Sequence, residues 1–476
     1  MLFNSAHFAI FFPIVTVFYF ALPHRFRYLF LLAASYYFYM AWKPIYILVI
    51  MFLTWIDYYA ARKIEALTDP RERKTYLLLC LTCNIGFLMI FKYSLASEGV
   101  RLLVAEFGRR PLELVFPLGL SFHTFQSMGY VIDVYRGVSP AEKRLDLYAL
   151  YVTYFPQMVS GPIERSTGLL KELQVHYDFD YDRVVSGLRL MAWGFFLKLV
   201  IADNLAGLVD PVYAEPAAQN SFVLLKATYY FGFQICCDFW GYTEIARGAA
   251  RILGPVLMKN FNHPYLGTSI RDFWHRWHIS LSTWFRDYLY IPLGGNRVMG
   301  WRWCFNIMLV FMLSGLWHGA NYTFVFWGAL HGMYLLMAQA THSWRETFSR
   351  AIGIGRWPGL QRIWKTFVTF QLVSFAWIFF RARTIHDGLL IAHRILAHPG
   401  PIFAHLFPSA WRGTWQAYEM MALPMMALMV LIEWLQNRWP ISRWPWAIRW
   451  AGYTGFILCI LVMGRVGSHR FLYFEF

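Results

Sequence analysis

Apolar runs of nearly the same length recur along this chain, and they constrain its fold more than any other feature. A helix needs about 20 predominantly apolar residues to cross the hydrocarbon core of a bilayer. Runs near 7–23, 28–42, 45–60, 76–94, 112–135, 145–163, 187–209, 221–240, 362–380, 418–436 and 449–466 meet or approach that length, and a longer one covers 303–340. They correspond to roughly eleven candidate spans. Only 15% of the residues are charged and 58% are apolar, whereas soluble domains carry about a quarter charged residues. The expected fold class is therefore all-α, a polytopic integral membrane protein. The longest polar stretches, 164–189 and 259–302, are each too short for an independent core. A single transmembrane domain over residues 1–476 is expected.

A net charge of +16 invites a nucleic-acid partner, but the basic residues do not gather into the stripe that a phosphate backbone requires. They sit at span ends, and no nucleic acid is expected. Arg25 and Arg27 follow the first run, and Arg62, Lys63, Arg71, Arg73 and Lys74 follow the third, while the intervening turn carries only Lys43. The positive-inside rule then faces the amino terminus outward. The first run has no basic residue before it and no small-residue cleavage site after it, so it reads as an anchor rather than a cleaved signal. The six cysteines fall within or beside apolar segments, so no disulfide framework is expected. Cys80 and Cys83 form a C-x-x-C pair inside a run, without a second pair at zinc spacing, and are expected to pack.

Two segments depart from the plain spanning pattern. The run 303–340 would be roughly 57 Å long as one helix, nearly twice the core thickness. It must break, and Trp317-His318-Gly319-Ala320-Asn321 is the expected place, because a glycine and two polar residues interrupt the apolar pattern there. His318 then lies at membrane depth, where irregular backbone survives only within protein or beside a water-filled cavity. An ionisable side chain at such a position is a functional-site candidate. A histidine bridging two helices by hydrogen bonds is the plain structural alternative.

The second segment, Ser269 to Gly295, is too polar to span and too regular for a loop. Phe273, Trp277, Leu281, Trp284 and Tyr288 are spaced by four, four, three and four residues, one narrow arc of a helix, with Arg271, His275, His278, Ser282 and Arg286 on the opposite arc. Ser269 and Asp272 supply a capping-box-like start, and Ile291-Pro-Leu-Gly-Gly295 ends the pattern. An amphipathic interfacial or re-entrant helix is expected, and anchoring to anionic lipid headgroups would suffice to explain it.

No G-x-S-x-G elbow, phosphate loop or H-E-x-x-H motif is present. His275, His278 and His318 have no carboxylate beside them in sequence to complete a metal set, so no metal is expected. What remains are histidines able to act as bases near neutral pH and buried acids and amides: Asp133, Gln157, Gln234, Asp238 and Glu244. The acids could equally pair with Arg136 and Arg247 between helices.

At these residues the chain resembles the membrane-bound O-acyltransferase (MBOAT) family, in its alginate O-acetyltransferase branch. The matching stretches are Phe116-Pro-Leu-Gly-Leu-Ser-Phe-His-Thr-Phe-Gln126, Tyr130-Val-Ile-Asp-Val-Tyr-Arg-Gly137, Phe155-Pro-Gln-Met-Val-Ser-Gly-Pro-Ile163 and Phe233 through Ala246. Arg271 through Ser282, Phe285 through Arg297 and Leu313-Ser-Gly-Leu-Trp-His-Gly-Ala320 follow, and the ends Met1–Ser5 and Phe471–Phe476 look similar as well. His275 stands where arginine is expected, and Trp240 and Glu244 replace what are more often serine and aspartate, which bears on the acceptor more than on the reaction.

The resemblance implies transmembrane and re-entrant helices around a central channel, with His318 as catalytic base. His278 is the second characteristic histidine and either reacts, orients or gates. Trp317, Asn321, Asp238 and Gln157 are the candidate substrate-binding residues; Asn321, Trp317 and His278 are also candidates to stabilise a tetrahedral oxyanion. The implied reaction is O-acyl transfer from a cytoplasmic donor, acetyl-CoA or an acylated carrier, to hydroxyls of an exopolysaccharide such as alginate, with no permanently bound cofactor. A periplasmic acetyltransferase partner, membrane lipid around the spans and a bacterial inner-membrane location belong to the same expectation. D-alanyl transfer by a related enzyme is the neighbouring alternative. A carrier lacking covalent chemistry would usually show repeated halves with paired broken helices, and a scaffold has no need of a histidine at membrane depth.

Overall fold

The computed structural model describes residues 1–94, 117–159, 161–351, 353, 357–401, 424–432 and 444–465. The start of the expected segment at 112–135, much of that at 418–436, Phe116 and Ser160 of the matched stretches, and the closing Phe471–Phe476 lie outside the described residues. In chain order the helices are α1 (Ala6–Ala21), α2 (His24–Met40), α3 (Ile47–Ala66), α4 (Pro70–Met89), α5 (Leu120–Tyr135), α6 (Leu145–Thr153), α7 (Tyr181–Phe195), α8 (Asp203–Ala214) and α9 (Ser221–Leu253). There follow α10 (Ile270–Arg276), α11 (Ile279–Phe285), α12 (Gly300–His318), α13 (Tyr322–Ala340), α14 (His342–Ala351), α15 (Pro358–Arg381), α16 (Ile385–Ala397) and α17 (Trp446–Met463). No strand occurs among the described residues. Helices satisfy every interior backbone group within the segment, which a lipid environment demands.

Among the described residues, five helical stretches are long and apolar enough to cross a membrane: Pro44–Ala66, Pro70–Tyr93, Tyr181–Ala214, Pro358–Arg381 and Trp446–Met463. The run at 221–240 lies within α9, 33 residues long, and that at 303–340 forms α12 and α13, 19 residues each. The run at 145–163 divides at Tyr154 into α6 and the single turn Phe155–Met158, where Pro156 sits in the first turn, the position a helix tolerates best. No disulfide joins the cysteines among the described residues. Cys80 is buried and directs its thiol to Asp57 Oδ1 at 3.0 Å, as a packing residue with a weak donor can.

The chain divides into two compact units. The first comprises Met1–Met191, Tyr242–Asn260 and Ser280–Pro292; the second comprises Ala192–Gly241, Phe261–Ile279 and Leu293–Phe476. Within the first, α3, α4 and α5 pack on one another and α6 packs on α2. α5 is buried along nearly its whole length, so its polar side chains need internal partners. Gln126 Nε2 donates to the Tyr151 carbonyl at 2.7 Å. Ser127 Oγ donates to Asn84 Oδ1 at 3.3 Å, and Asn84 Nδ2 donates to Asp57 Oδ1 at 2.6 Å. The expected pairing of acids with arginines between helices takes a different form. Glu244 meets Arg247 at 2.6 Å one turn along α9, and Asp133 accepts from the Tyr288 hydroxyl at 2.8 Å, while Arg136 donates to the Asp287 carbonyl. An i,i+3 pair on one helix needs no second element to bring it together.

In the second unit α12 and α13 form an antiparallel hairpin, α13 packs on α15, and α10 packs on both α13 and α15. Two glycines let the hairpin close. A Cβ on Gly315 would lie 2.2 Å from the Phe324 carbonyl oxygen, and one on Gly328 would lie 2.2 Å from that of Phe311. Small residues at such crossings let backbones approach closely, and packing of this kind holds helices together where lipid supplies no hydrophobic drive.

Candidate functional site

The expected break in the long apolar run is present. α12 ends at His318, Gly319 is extended, and Asn321 caps α13 by accepting from the Thr323 N–H at 3.0 Å. Asn321 Nδ2 also donates to the Arg383 carbonyl at 2.7 Å. Asn321 is thus engaged at both ends of its amide in holding the break, and it is exposed. His318 itself is buried, 4% exposed.

The segment from Ser269 differs from the expected continuous helix. Ser269 caps α10 through the Asp272 N–H, Arg276 binds Asp272 at 2.7 Å, and α10 then stops. Trp277 is extended, and His278 has φ +43°, a left-handed conformation uncommon outside glycine. α11 begins after it. The spacing assigned most of the apolar arc correctly, since Phe273, Trp277, Leu281 and Trp284 are buried, while Tyr288 is half-buried. It misplaced His278, which a continuous helix would put on the polar arc beside the exposed Arg271, His275 and Arg286. The break buries His278 to 1% exposure. A residue held in a costly backbone conformation persists only where its surroundings over-determine it, and such residues cluster at functional sites.

The break brings the two histidines to one cluster. The Trp317 ring lies 4.8 Å from that of His318 and 6.1 Å from that of His278. Phe239, on α9, meets His278 edge-on at 4.6 Å. Trp327 from α13 and Phe380 from α15 each stand edge-on to His318 at 5.2 Å. Three helices of the second unit therefore wall His318 with rings that exclude water and fix its plane. Chemically, an imidazole so placed can take and return a proton without competition from bulk solvent.

Asp238, one residue before Phe239, is buried and bound to Lys198 Nζ at 2.6 Å; Asp203 binds the same ammonium at 2.8 Å. Lys198 lies on the π-helical stretch Phe196–Ala202 between α7 and α8. Asp238 thus belongs to an ion triad in the same unit. Gln157 belongs to the first unit, where its amide nitrogen donates to Gln126 Oε1.

Sequence reasoning missed Lys198, Trp327, His331 and Phe380. Lys198 is a charge within the apolar run at 187–209 and carried a visible signal. His331 carried the same kind of signal, as an ionisable residue inside the run 303–340, whereas Trp327 and Phe380 carried none, because in so aromatic a chain no spacing separates a site wall from ordinary packing.

A family model for MBOAT, the membrane-bound O-acyltransferase family, matches residues 145–381, which include both histidines, Trp317 and Asp238. A probable alginate O-acetylase of Pseudomonas aeruginosa is 36% identical over 88% of this chain and 77% of its own length. A peptidoglycan O-acetyltransferase of Helicobacter pylori is 31% identical over 80% of this chain and 76% of its own length. A teichoic acid D-alanyltransferase of Bacillus subtilis is 29% identical, over 58% of this chain and 71% of its own.

Proposed function

Because the chain belongs to the membrane-bound O-acyltransferase family, and so is a multi-pass membrane O-acyltransferase, we propose that it passes an acetyl group from a cytoplasmic thioester to hydroxyls of an exported polysaccharide, with His318 as the base. The observation that carries this is the pairing of His318 and His278 around Trp317, buried, at two breaks in otherwise regular helix. Donor and acceptor lie on opposite sides of a bilayer, so the reacting groups must meet at membrane depth. A histidine at a helix break within protein suits that need.

In this proposal His318 takes the proton of the acceptor hydroxyl as its oxygen attacks the thioester carbonyl carbon. A C–O bond forms, the C–S bond breaks, and the proton passes to the departing thiolate. His278, pinned by its backbone and by Phe239, positions Trp317 and the acceptor side of the cluster. Asn321 keeps the break in place, and the Lys198–Asp203–Asp238 triad braces α9 behind Phe239. Asp238 then acts on substrate only through that bracing, and Gln157 is assigned to substrate binding.

The donor is acetyl-CoA or an acylated carrier, the acceptor an alginate-type polymer, and a periplasmic acetyltransferase completes the transfer from the inner membrane. Acetyl transfer is preferred over D-alanyl transfer because the two O-acetylating relatives align over 80% or more of the chain and the D-alanylating one over 58%. Membranes containing the protein, given acetyl-CoA and then an aminoacylated carrier as alternative donors, test this choice. Label incorporated only from the aminoacyl donor would reverse it.

A further inference from the structure

One turn of α13 holds two buried polar atoms that the mechanism above does not use. Trp327 and His331 lie four residues apart, hence on one helix face, with ring centroids 5.1 Å apart and planes 71° apart. Trp327 is 1% exposed and His331 0%. Trp274 Nε1 on α10 donates to His331 Nδ1 at 3.3 Å. That bond fixes the tautomer: Nδ1 is the acceptor, so the neutral imidazole carries its hydrogen on Nε2. Indole Nε1 is a donor only. Among the described residues neither Trp327 Nε1 nor His331 Nε2 has a hydrogen-bond partner.

Leaving one buried donor unsatisfied costs about 1–3 kcal/mol, and the cost is felt fully where lipid and protein exclude water. Two such donors on one face call for an acceptor. The neighbouring rings, Trp274, Phe273, Phe311 and Tyr334, are uncharged, so the site favours a neutral oxygen over a carboxylate or phosphate, whose charge would need a counter-ion. Trp327 also stands 5.2 Å from His318, which places one of the donors on the wall of the histidine cluster.

We propose that Trp327 Nε1–H and His331 Nε2–H form a subsite for the carbonyl oxygen of the acyl thioester. The inference rests on the acyl-transfer function proposed above and adds the residues that hold the donor's acyl end. When the acceptor oxygen attacks, the carbonyl electron pair moves onto this oxygen, and it returns to the carbon as the C–S bond breaks. The two N–H groups meet the transient negative charge without giving up their protons, as oxyanion donors do. Trp274 is a positioning residue, acting only through the His331 tautomer.

The test compares binding of acetyl-CoA with that of S-ethyl-CoA, in which a methylene replaces the carbonyl, to the full chain in lipid nanodiscs by calorimetry. The two probes differ at the oxygen the subsite would hold. Wild type should prefer acetyl-CoA on the order of tenfold. Trp327→Phe, which keeps a ring and removes the donor, should lose most of that preference, as should His331→Leu. His331→Gln, whose amide places a donor near the same point, should retain it. A melting profile matching wild type shows that each variant is folded, and Trp327→Phe keeps the test open should His331→Leu not fold. Equal affinities in wild type, preference surviving in both donor-deleting variants, or no binding of either probe would overturn the proposal. Its fate is separable from that of His318: persistent carbonyl preference with unchanged acetyl transfer by His318→Ala would remove His318 as base and leave the subsite standing.

Discussion

Replacing Gly328 by alanine should disable the enzyme, whereas the same change one turn along α13, at Gly332, should not. The difference can be worked from distances. A Cβ at Gly328 would lie 2.2 Å from the Phe311 carbonyl oxygen and 2.9 Å from its carbon, both backbone atoms of α12. Ordinary carbon contacts begin near 3.5 Å, so the two helices must part by roughly 1 Å at this level. A Cβ at Gly332 would meet Met308 Sδ at 2.9 Å, the mobile end of a flexible side chain, with its other neighbours at 3.5 Å or more. Met308 can rotate away, and alanine gains about 1 kcal/mol of helix propensity over glycine.

Gly328→Ala should therefore cost about 1–3 kcal/mol of stability through overpacking and shift Trp327, beside it, against His318. A displacement of 1 Å in a catalytic arrangement can cost on the order of a hundredfold in rate. The assay is acetyl transfer by equal amounts of folded protein in membranes, with detergent melting curves for each variant. Gly332→Ala should keep near-normal rate and melting. Indistinguishable behaviour of the two variants would refute the claim that backbone contact at Gly328 sets the site.

Three further outcomes are expected. Burial pushes the Glu164 carboxyl, in the loop after the Phe155–Met158 turn, up from its ordinary 4.5 to about 7. The folded state then holds a proton the unfolded chain releases, so stability should fall as pH rises from 4.5 to about 7; Glu164→Gln, still able to accept from the Met258 N–H, should flatten that slope, and an unchanged slope in melting curves would contradict it. Lys198→Met leaves Asp203 and Asp238 buried together and should lose on the order of 3–5 kcal/mol, recovered when both aspartates are also changed to asparagine; wild-type melting of the single variant would show that the triad contributes nothing. A reporter fused ahead of Met1 should be active only on the outer face, since the basic residues follow the first and third apolar runs, and cytoplasmic activity there would invert the topology.

The helical class and the break at His318 were legible because both follow from length: no single helix of the run at 303–340 fits a bilayer. Periodicity also found the buried arc of Phe273, Trp277, Leu281 and Trp284, since that arc survives a kink. It could not find the kink at His278, where one residue with positive φ turns a predicted surface histidine inward. Nothing in local sequence marks a non-glycine residue that will be forced into that conformation by its neighbours. The division of the 145–163 run at Tyr154 was likewise hidden by a uniform apolar composition. Asp238 and Gln157 were recognisable as buried polar groups, but their partners, Lys198 and Gln126, lie far off in sequence and only the fold brings them together. Asn321 was singled out for chemistry, and its amide is engaged in capping α13 and in binding the Arg383 carbonyl.

The most direct test of His318 as the base is transfer of labelled acetyl from acetyl-CoA in membranes containing either wild-type protein or His318→Ala at equal abundance, supplied with the polysaccharide and the periplasmic fraction. Label should reach the polymer or a protein intermediate with wild type and fall to background with His318→Ala. Equal labelling by the two proteins would contradict the assignment of His318 as the base.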